Sequence, residues 1–107
     1  MNESLYTDLL DNLMMAIEDA IEDAELDIDY ETAAGILTLT CPDNSKVILS
    51  RQSALWQLWL AARSGGFHFN FDEAQAAWVL DSNGQLFSEV LNQCLSQQYG
   101  ESVNLEI

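Results

Sequence analysis

The hydrophobic period of this chain changes once from that of a helix to that of a strand and later changes back, which leaves few folds open. From about Glu3 to Glu25, Tyr6, Leu9, Leu10, Leu13, Met14, Ile17, Ala20, Ile21 and Ala24 recur at spacings of three and four. At roughly 100° per residue they fall on one stripe of a helix, with Asp8, Asp11, Glu18, Asp19, Glu22 and Asp23 on the opposite arc. From Leu26 onward the period is that of a strand. In LDIDYE (26–31), Leu26, Ile28 and Tyr30 share one face and Asp27, Asp29 and Glu31 the other. GILTLTC (35–41) sets Thr38 and Thr40 opposite Leu37 and Leu39, and KVILSR (46–51) follows the turn-forming CPDNS. The apolar spacing of LWQLWLAAR (55–63) also suits a helix, but the short gaps to its neighbours favour a strand. GFHFNF (66–71) and AAWVLD (76–81) complete the set, with Gly65-Gly66 as a turn. A helical stripe returns from about Gly84 to Tyr99, carried by Leu86, Phe87, Val90, Leu91, Cys94 and Leu95. Ser82 or Asn83 can cap its start and Gly100 its end. Residues 102–107 read as a short tail.

The implied architecture is an α+β, two-layer α-β sandwich in one domain spanning residues 1–107. Its N- and C-terminal helices pack on one face of an antiparallel sheet of about five to six strands, leaving the other face open. A chain of 107 residues can bury a modest core without staples. Cys41 and Cys94 fall in apolar patterns with no C-x-x-C motif, so two buried free thiols are expected. MNESLYTDLL lacks the basic start and apolar core of a secretion signal, and no run of 18 apolar residues occurs. A cytoplasmic protein with no membrane span is the expectation.

Charge is the second constraint. Eighteen Asp and Glu against three Lys and Arg leave a formal charge of −15. That argues against nucleic acid and anionic membranes and favours cations or basic protein partners. Eight of the fifteen residues in IEDAIEDAELDIDYE (17–31) are carboxylates, with no Lys or Arg among them. The like-charge pairs Glu18–Glu22 and Asp19–Asp23 each cost a helix roughly 0.2–0.5 kcal/mol. They also sit at its C-terminal end, where the macrodipole disfavours anions. Stability does not ask for this placement. Charge runs usually serve as solvated faces, but the destabilising placement moves the balance toward function. Clustered carboxylates offer hard oxygen ligands suited to Ca²⁺, Mg²⁺, Mn²⁺ or iron more than to Zn²⁺ or Cu⁺. A helix face lines them up instead of caging an ion, so binding should be weak and open to solvent.

Other chemistry is scarce. The one histidine, His68, lies among strand aromatics and reads as structural. There is no phosphate-binding glycine loop and no calcium-loop order of carboxylates, and the Cys and His count excludes zinc sites built on them. An enzyme is not expected. In the strand reading, Leu55, Gln57, Trp59 and Ala61 share one face. Trp56, Leu58, Leu60 and Ala62 share the more apolar one, which should lie under the helices. Trp59 then occupies the open face beside Gln57 and Thr38 or Thr40 of neighbouring strands, where an aromatic is a natural binding hot spot. Periodicity alone leaves the opposite register open.

The acidic first helix, GILTLT (35–40), the Ser50-Arg51-Gln52 turn, QLWLAARSGGFHF (57–69) and the closing helix together resemble the bacterial frataxin family, over residues 1 to about 101. The resemblance implies the same sandwich and a regulatory role in iron–sulfur cluster assembly, exerted by binding the cysteine desulfurase and scaffold machinery. By position it implies iron, Fe²⁺ or Fe³⁺, at Glu18, Asp19, Glu22, Asp23, Asp27 and Asp29, with other divalent or trivalent cations able to substitute. It implies partner contacts at Gln57 and Trp59 and at the helix carboxylates Glu18, Asp19, Glu22 and Asp23. A monomer that oligomerises with excess metal is the matching expectation. The competing expectation is an acidic module that masks a basic partner and has no metal role. A ferroxidase or iron store would need an ordered multi-iron site, which open carboxylates do not provide.

Overall fold

The computed structural model describes all 107 residues, in the order α1 (Glu3–Asp23), β1 (Asp29–Ala33), β2 (Ile36–Thr40), β3 (Lys46–Gln52), β4 (Gln57–Ala62), β5 (Gly65–Asp72), β6 (Ala77–Leu80) and α2 (Phe87–Tyr99). The six strands form one antiparallel meander in sequence order. Leu37, Leu39, Val47, Leu49, Leu58, Leu60, Phe69, Trp78 and Leu80 are buried from one sheet face. They join a single core with Tyr6, Leu10, Met14, Ile17 and Ile21 of α1 and Phe87, Val90, Leu91, Cys94 and Leu95 of α2. Both helices therefore cover the same face, and the molecule is the two-layer α-β sandwich its periodicities imply. No helix is long and apolar enough to cross a membrane.

Local chemistry sets the boundaries. The Asn2 side chain accepts from the Leu5 amide at 2.9 Å, satisfying one of the orphan donors at the start of α1. Tyr6 pins this end to the sheet: its hydroxyl donates to the Gln57 carbonyl at 2.6 Å and accepts from the Gln52 amide at 3.0 Å. β1 and β2 are joined by Ala34 and Gly35, both at positive φ (52° and 77°), the two-residue turn whose twist matches a hairpin. Gly35 has a second reason to be glycine, since a Cβ there would meet Arg51 Cδ at 3.2 Å.

Several boundaries differ from the sequence expectations. β1 begins at Asp29, not Leu26, although Ile28 is buried as the alternation requires. β4 begins at Gln57, because Ser53–Leu55 form one 3₁₀ turn and Trp56 is left-handed (φ 52°). Trp56 therefore leaves the alternation, is 36% exposed, and packs edge-on to Tyr6 at 5.2 Å instead of lying under the helices. Ser50-Arg51-Gln52 belongs to β3, not to a turn. Arg63 and Ser64 make the turn after β4, so Gly65 and Gly66 lie in β5, opposite Ala62 and Ala61. α2 starts at Phe87, and neither Ser82 nor Asn83 caps it. Asn83 instead accepts from the Gln85 amide at 2.8 Å within the preceding turn. Gly100 closes α2 at φ 84°, as expected.

Residues 102–107 form no helix or strand, yet they are docked on α2. The Asn92 side chain bonds both the N–H and the C=O of Leu105 (2.8 and 3.1 Å), and Ser96 Oγ does the same for Val103 (2.8 and 3.2 Å). The Val103 and Leu105 side chains enter the core. One turn beyond Cys94, the buried Gln98 side chain accepts from the Arg63 amide (2.9 Å) and donates to Ser45 Oγ (3.0 Å) and the Lys46 carbonyl (3.2 Å). It ties both hairpin turns at that end of the sheet to α2. Cys41 and Cys94 are buried and free, and burial pushes both thiols up, which disfavours the reactive thiolate.

Candidate functional site

The end of α1 runs antiparallel to β1 and is fastened to it by two rungs. Thr32 Oγ1 donates to Glu18 Oε2 at 3.0 Å, and the Tyr30 hydroxyl donates to Glu22 Oε1. The spacing is natural: four helical residues rise about 6 Å and two strand residues about 6.6 Å, so side chains at i,i+4 on one meet i,i+2 on the other. Glu18 and Glu22 therefore lean on β1. Asp19 and Asp23, one position further round the helix, are fully outward and exposed. Asp27 and Asp29 are exposed as well. Asp29 opens β1, whereas Asp27 precedes the strand, its N–H held by the Tyr99 hydroxyl at 3.1 Å.

None of these six carboxylates has a cationic partner. The chain's two ion pairs lie elsewhere, Arg51 with Asp11 and Arg63 with Asp43. Nor do any three carboxylate, imidazole or thiol groups converge as a metal cage. The donor set suits a hard cation held by one or two carboxylates, with water completing its shell.

The concentrated charge is felt by Tyr30, whose phenol is pushed up to about 12. The hydrogen bond to Glu22 is the main cause, followed by desolvation and the negative field of Glu22, Glu18 and Asp19. The raised value means that this contribution to stability is intact below the ordinary tyrosine value of 10.0 and is lost as pH rises from there through about 12. Glu22→Gln removes the charge at the accepting oxygen, so Tyr30 should ionise closer to 10.0. The Tyr30 ring resonances followed through a pH titration read this residue apart from Tyr6, whose phenol is also pushed up by burial. A late-ionising Tyr30 that persists in Glu22→Gln would place the cause elsewhere.

On the open face, Trp59 is half-buried and lies opposite the buried Leu58 and Leu60. Its indole N–H donates to Gln57 Oε1 at 2.9 Å, and Gln57 Nε2 donates to Asn70 Oδ1 at 3.0 Å. The indole stacks on His68, centroids 4.2 Å apart and planes 12° from parallel. His68 is thus an exposed member of this surface and not a core histidine. Trp59 stands opposite Ser50 on β3 and His68 on β5, not beside Thr38 or Thr40; Ser50 in turn faces Ile36, which is 42% exposed. The structural reading of His68 and the omission of Asn70 both overlook the alternation of GFHFNF, which sets these two residues opposite Phe67, Phe69 and Phe71.

The model of the frataxin-like domain matches residues 1–101. A protein of Pseudomonas aeruginosa named iron-sulfur cluster assembly protein CyaY is 47% identical over 103 residues, covering 96% of this chain and 95% of its own. A protein of the same name from Stutzerimonas stutzeri is 43% identical over 106 residues, covering 99% and 96%. Among solved structures, frataxin from Psychromonas ingrahamii matches all of both chains at a TM-score of 0.90 and 33% identity. Trimeric frataxin from the yeast Saccharomyces cerevisiae, solved in complex with ferrous iron, matches 94% of this chain and 90% of its own at a TM-score of 0.71. At 24% identity, that likeness concerns the fold alone. With a family model aligned from the first residue to residue 101 and relatives above 40% identity along nearly the whole length, the chain belongs to the frataxin-like family.

Proposed function

We propose that this protein binds iron weakly on its acidic ridge and docks on the cysteine desulfurase and scaffold complex of iron–sulfur cluster assembly, as a cytoplasmic, monomeric regulatory accessory and not as a catalyst. The names of its relatives support the assembly role. The observation that carries the rest is the unrelieved charge: six exposed or half-exposed carboxylates, at Glu18, Asp19, Glu22, Asp23, Asp27 and Asp29, have no cation of the chain's own. An external cation relieves their repulsion, whether it is Fe²⁺, Fe³⁺ or another divalent or trivalent ion. A desulfurase surface bearing Arg and Lys relieves it equally and is drawn in by long-range attraction. Metal and partner then compete for Glu18, Asp19, Glu22 and Asp23, which links iron supply to docking, and excess metal can bridge copies.

The missing cage favours a second reading, an acidic module that masks a basic partner without a metal. Titration with Fe²⁺, and separately with Ca²⁺, while following the α1 and β1 amide resonances decides between them when combined with capture of the desulfurase in both iron states. Shifts confined to residues 18–29, together with iron-dependent capture, support the proposal. Capture without metal shifts leaves the masking module, and absence of both removes each reading.

The open face is the second contact of the proposal. Trp59→Ala should stay folded, losing well under the roughly 3–5 kcal/mol of a buried Trp, yet bind the assembly complex about thirtyfold more weakly, as a hot spot of 2 kcal/mol does. Leu60→Ala is the control, since Leu60 is 1% exposed on the core face and its truncation should cost about 2–5 kcal/mol. Trp56 cannot serve, because it has left the strand. Undiminished affinity in Trp59→Ala takes the open face out of the interface.

A further inference from the structure

The sheet has one uncovered margin. β6, at one end of the strand order, is partly closed by the chain's own Val79–Leu86 bridge and by the Leu80 amide bonding the Gln85 carbonyl. β1, at the other end, pairs only with β2, and no backbone hydrogen bond outside that ladder involves residues 29–33. The Ala34–Gly35 turn closes on Ala33 and Ile36 as a hydrogen-bonded pair. Alternation along an antiparallel ladder then pairs Glu31 and Asp29 inward and turns the N–H and C=O of Tyr30 and Thr32 outward. Those four groups form a short template for another strand.

Charge selects what can use it. The Tyr30 and Thr32 side chains rise to the helix, where Glu22 and Glu18 overhang the margin. Asp29 and Glu31 project from the opposite face of the same strand. A strand laid along β1 therefore meets carboxylates on both of its faces. A second copy would bring its own Asp29 and Glu31 against these, and like charges across a strand pair are destabilising. A segment of opposite sign has no such penalty.

We infer that the free edge of β1 receives an extended, Lys- and Arg-rich segment of the partner protein as a seventh strand, with main-chain bonds to Tyr30 and Thr32 and basic side chains against Glu18 and Glu22 above and Asp29 and Glu31 below. This deepens the ridge docking proposed above and rests on it for the sign of the partner's charge. Strand addition supplies register and affinity through the backbone, and side chains supply selectivity.

The probe is a ten-residue peptide of lysine and threonine, compared with the same peptide N-methylated at two adjacent central residues. Methylation keeps every charge but blocks pairing on either edge. On the protein side, Thr32→Pro removes one outward donor and spares the β1–β2 ladder, since proline is tolerated where a strand N–H faces solvent. The expected result is slowed hydrogen exchange at the Tyr30 and Thr32 amides on peptide addition, with binding at least tenfold weaker for the methylated peptide and for Thr32→Pro. Equal affinity for the two peptides overturns the inference, because charge alone would then explain binding. If neither peptide binds while the desulfurase complex still does, the edge inference falls and ridge docking stands. If the desulfurase complex also fails to bind, both fall.

Discussion

Lysine at Glu18, Asp19, Glu22 and Asp23 together should abolish the proposed iron binding and weaken the proposed docking on the cysteine desulfurase by about a hundredfold or more, equivalent to roughly 2.7 kcal/mol. Each substitution moves the ridge by two charge units, so the variant should repel both the cation and the basic surface proposed to bind there. The fold should survive. The lost Thr32–Glu18 and Tyr30–Glu22 bonds are solvent-exposed, so their removal costs the fold little. Lysine is a good helix former and suits the C-terminal end of α1 better than a carboxylate does. Calorimetry with Fe²⁺ and affinity for the purified desulfurase are the measurements, with circular dichroism as the control. A folded variant that keeps its partner moves the interface off the ridge.

Removing residues 102–107 should be the most damaging change made outside the strands and helices. Val103 and Leu105 are 4% and 3% exposed, and burying two such side chains stabilises by roughly 3–6 kcal/mol. That is a large part of the 5–15 kcal/mol typical of a domain and corresponds to a fall in melting temperature on the order of 20 °C. The truncated chain also exposes the apolar residues those side chains cover. Asn92→Ala, which cuts two of the four bonds holding the segment, should show the same trend at smaller size. An unchanged melting temperature after truncation would mean that the segment rests on the surface without supporting the core.

What could be read from the sequence followed from local periodicity, and what could not depended on turns and on tertiary register. The stripes of α1 and α2 were legible, as were the alternation of β2 that sets Leu37 and Leu39 opposite Thr38 and Thr40 and the more apolar face of β4 that carries Leu58 and Leu60 opposite Trp59. Trp56 was misplaced because the left-handed turn restarts the alternation at Gln57, and nothing in the pattern announces such a restart. Ser50, not a threonine, stands beside Trp59 because β3 lies between β2 and β4 in the meander, which keeps Thr38 and Thr40 one strand away from Trp59. The carboxylate ridge was legible as a run of charge. Its fastening to Tyr30 and Thr32 was not, since that requires knowing that α1 and β1 lie antiparallel. The docking of Val103 and Leu105 had a signal in their i,i+2 spacing, too short to stand out from a tail.

Gln98 carries a consequence for how long the folded state lasts. Its three side-chain bonds reach residues 35, 52 and 53 positions away, joining α2 to two hairpins that must already exist. Bonds that need both hairpins and α2 already in place are expected to form late in folding. Interactions absent from the transition state act on the unfolding rate and leave the folding rate nearly untouched. Gln98 is therefore expected to act as a latch on the lifetime of the native molecule: without it the chain should reach its fold about as fast, and leave that fold sooner.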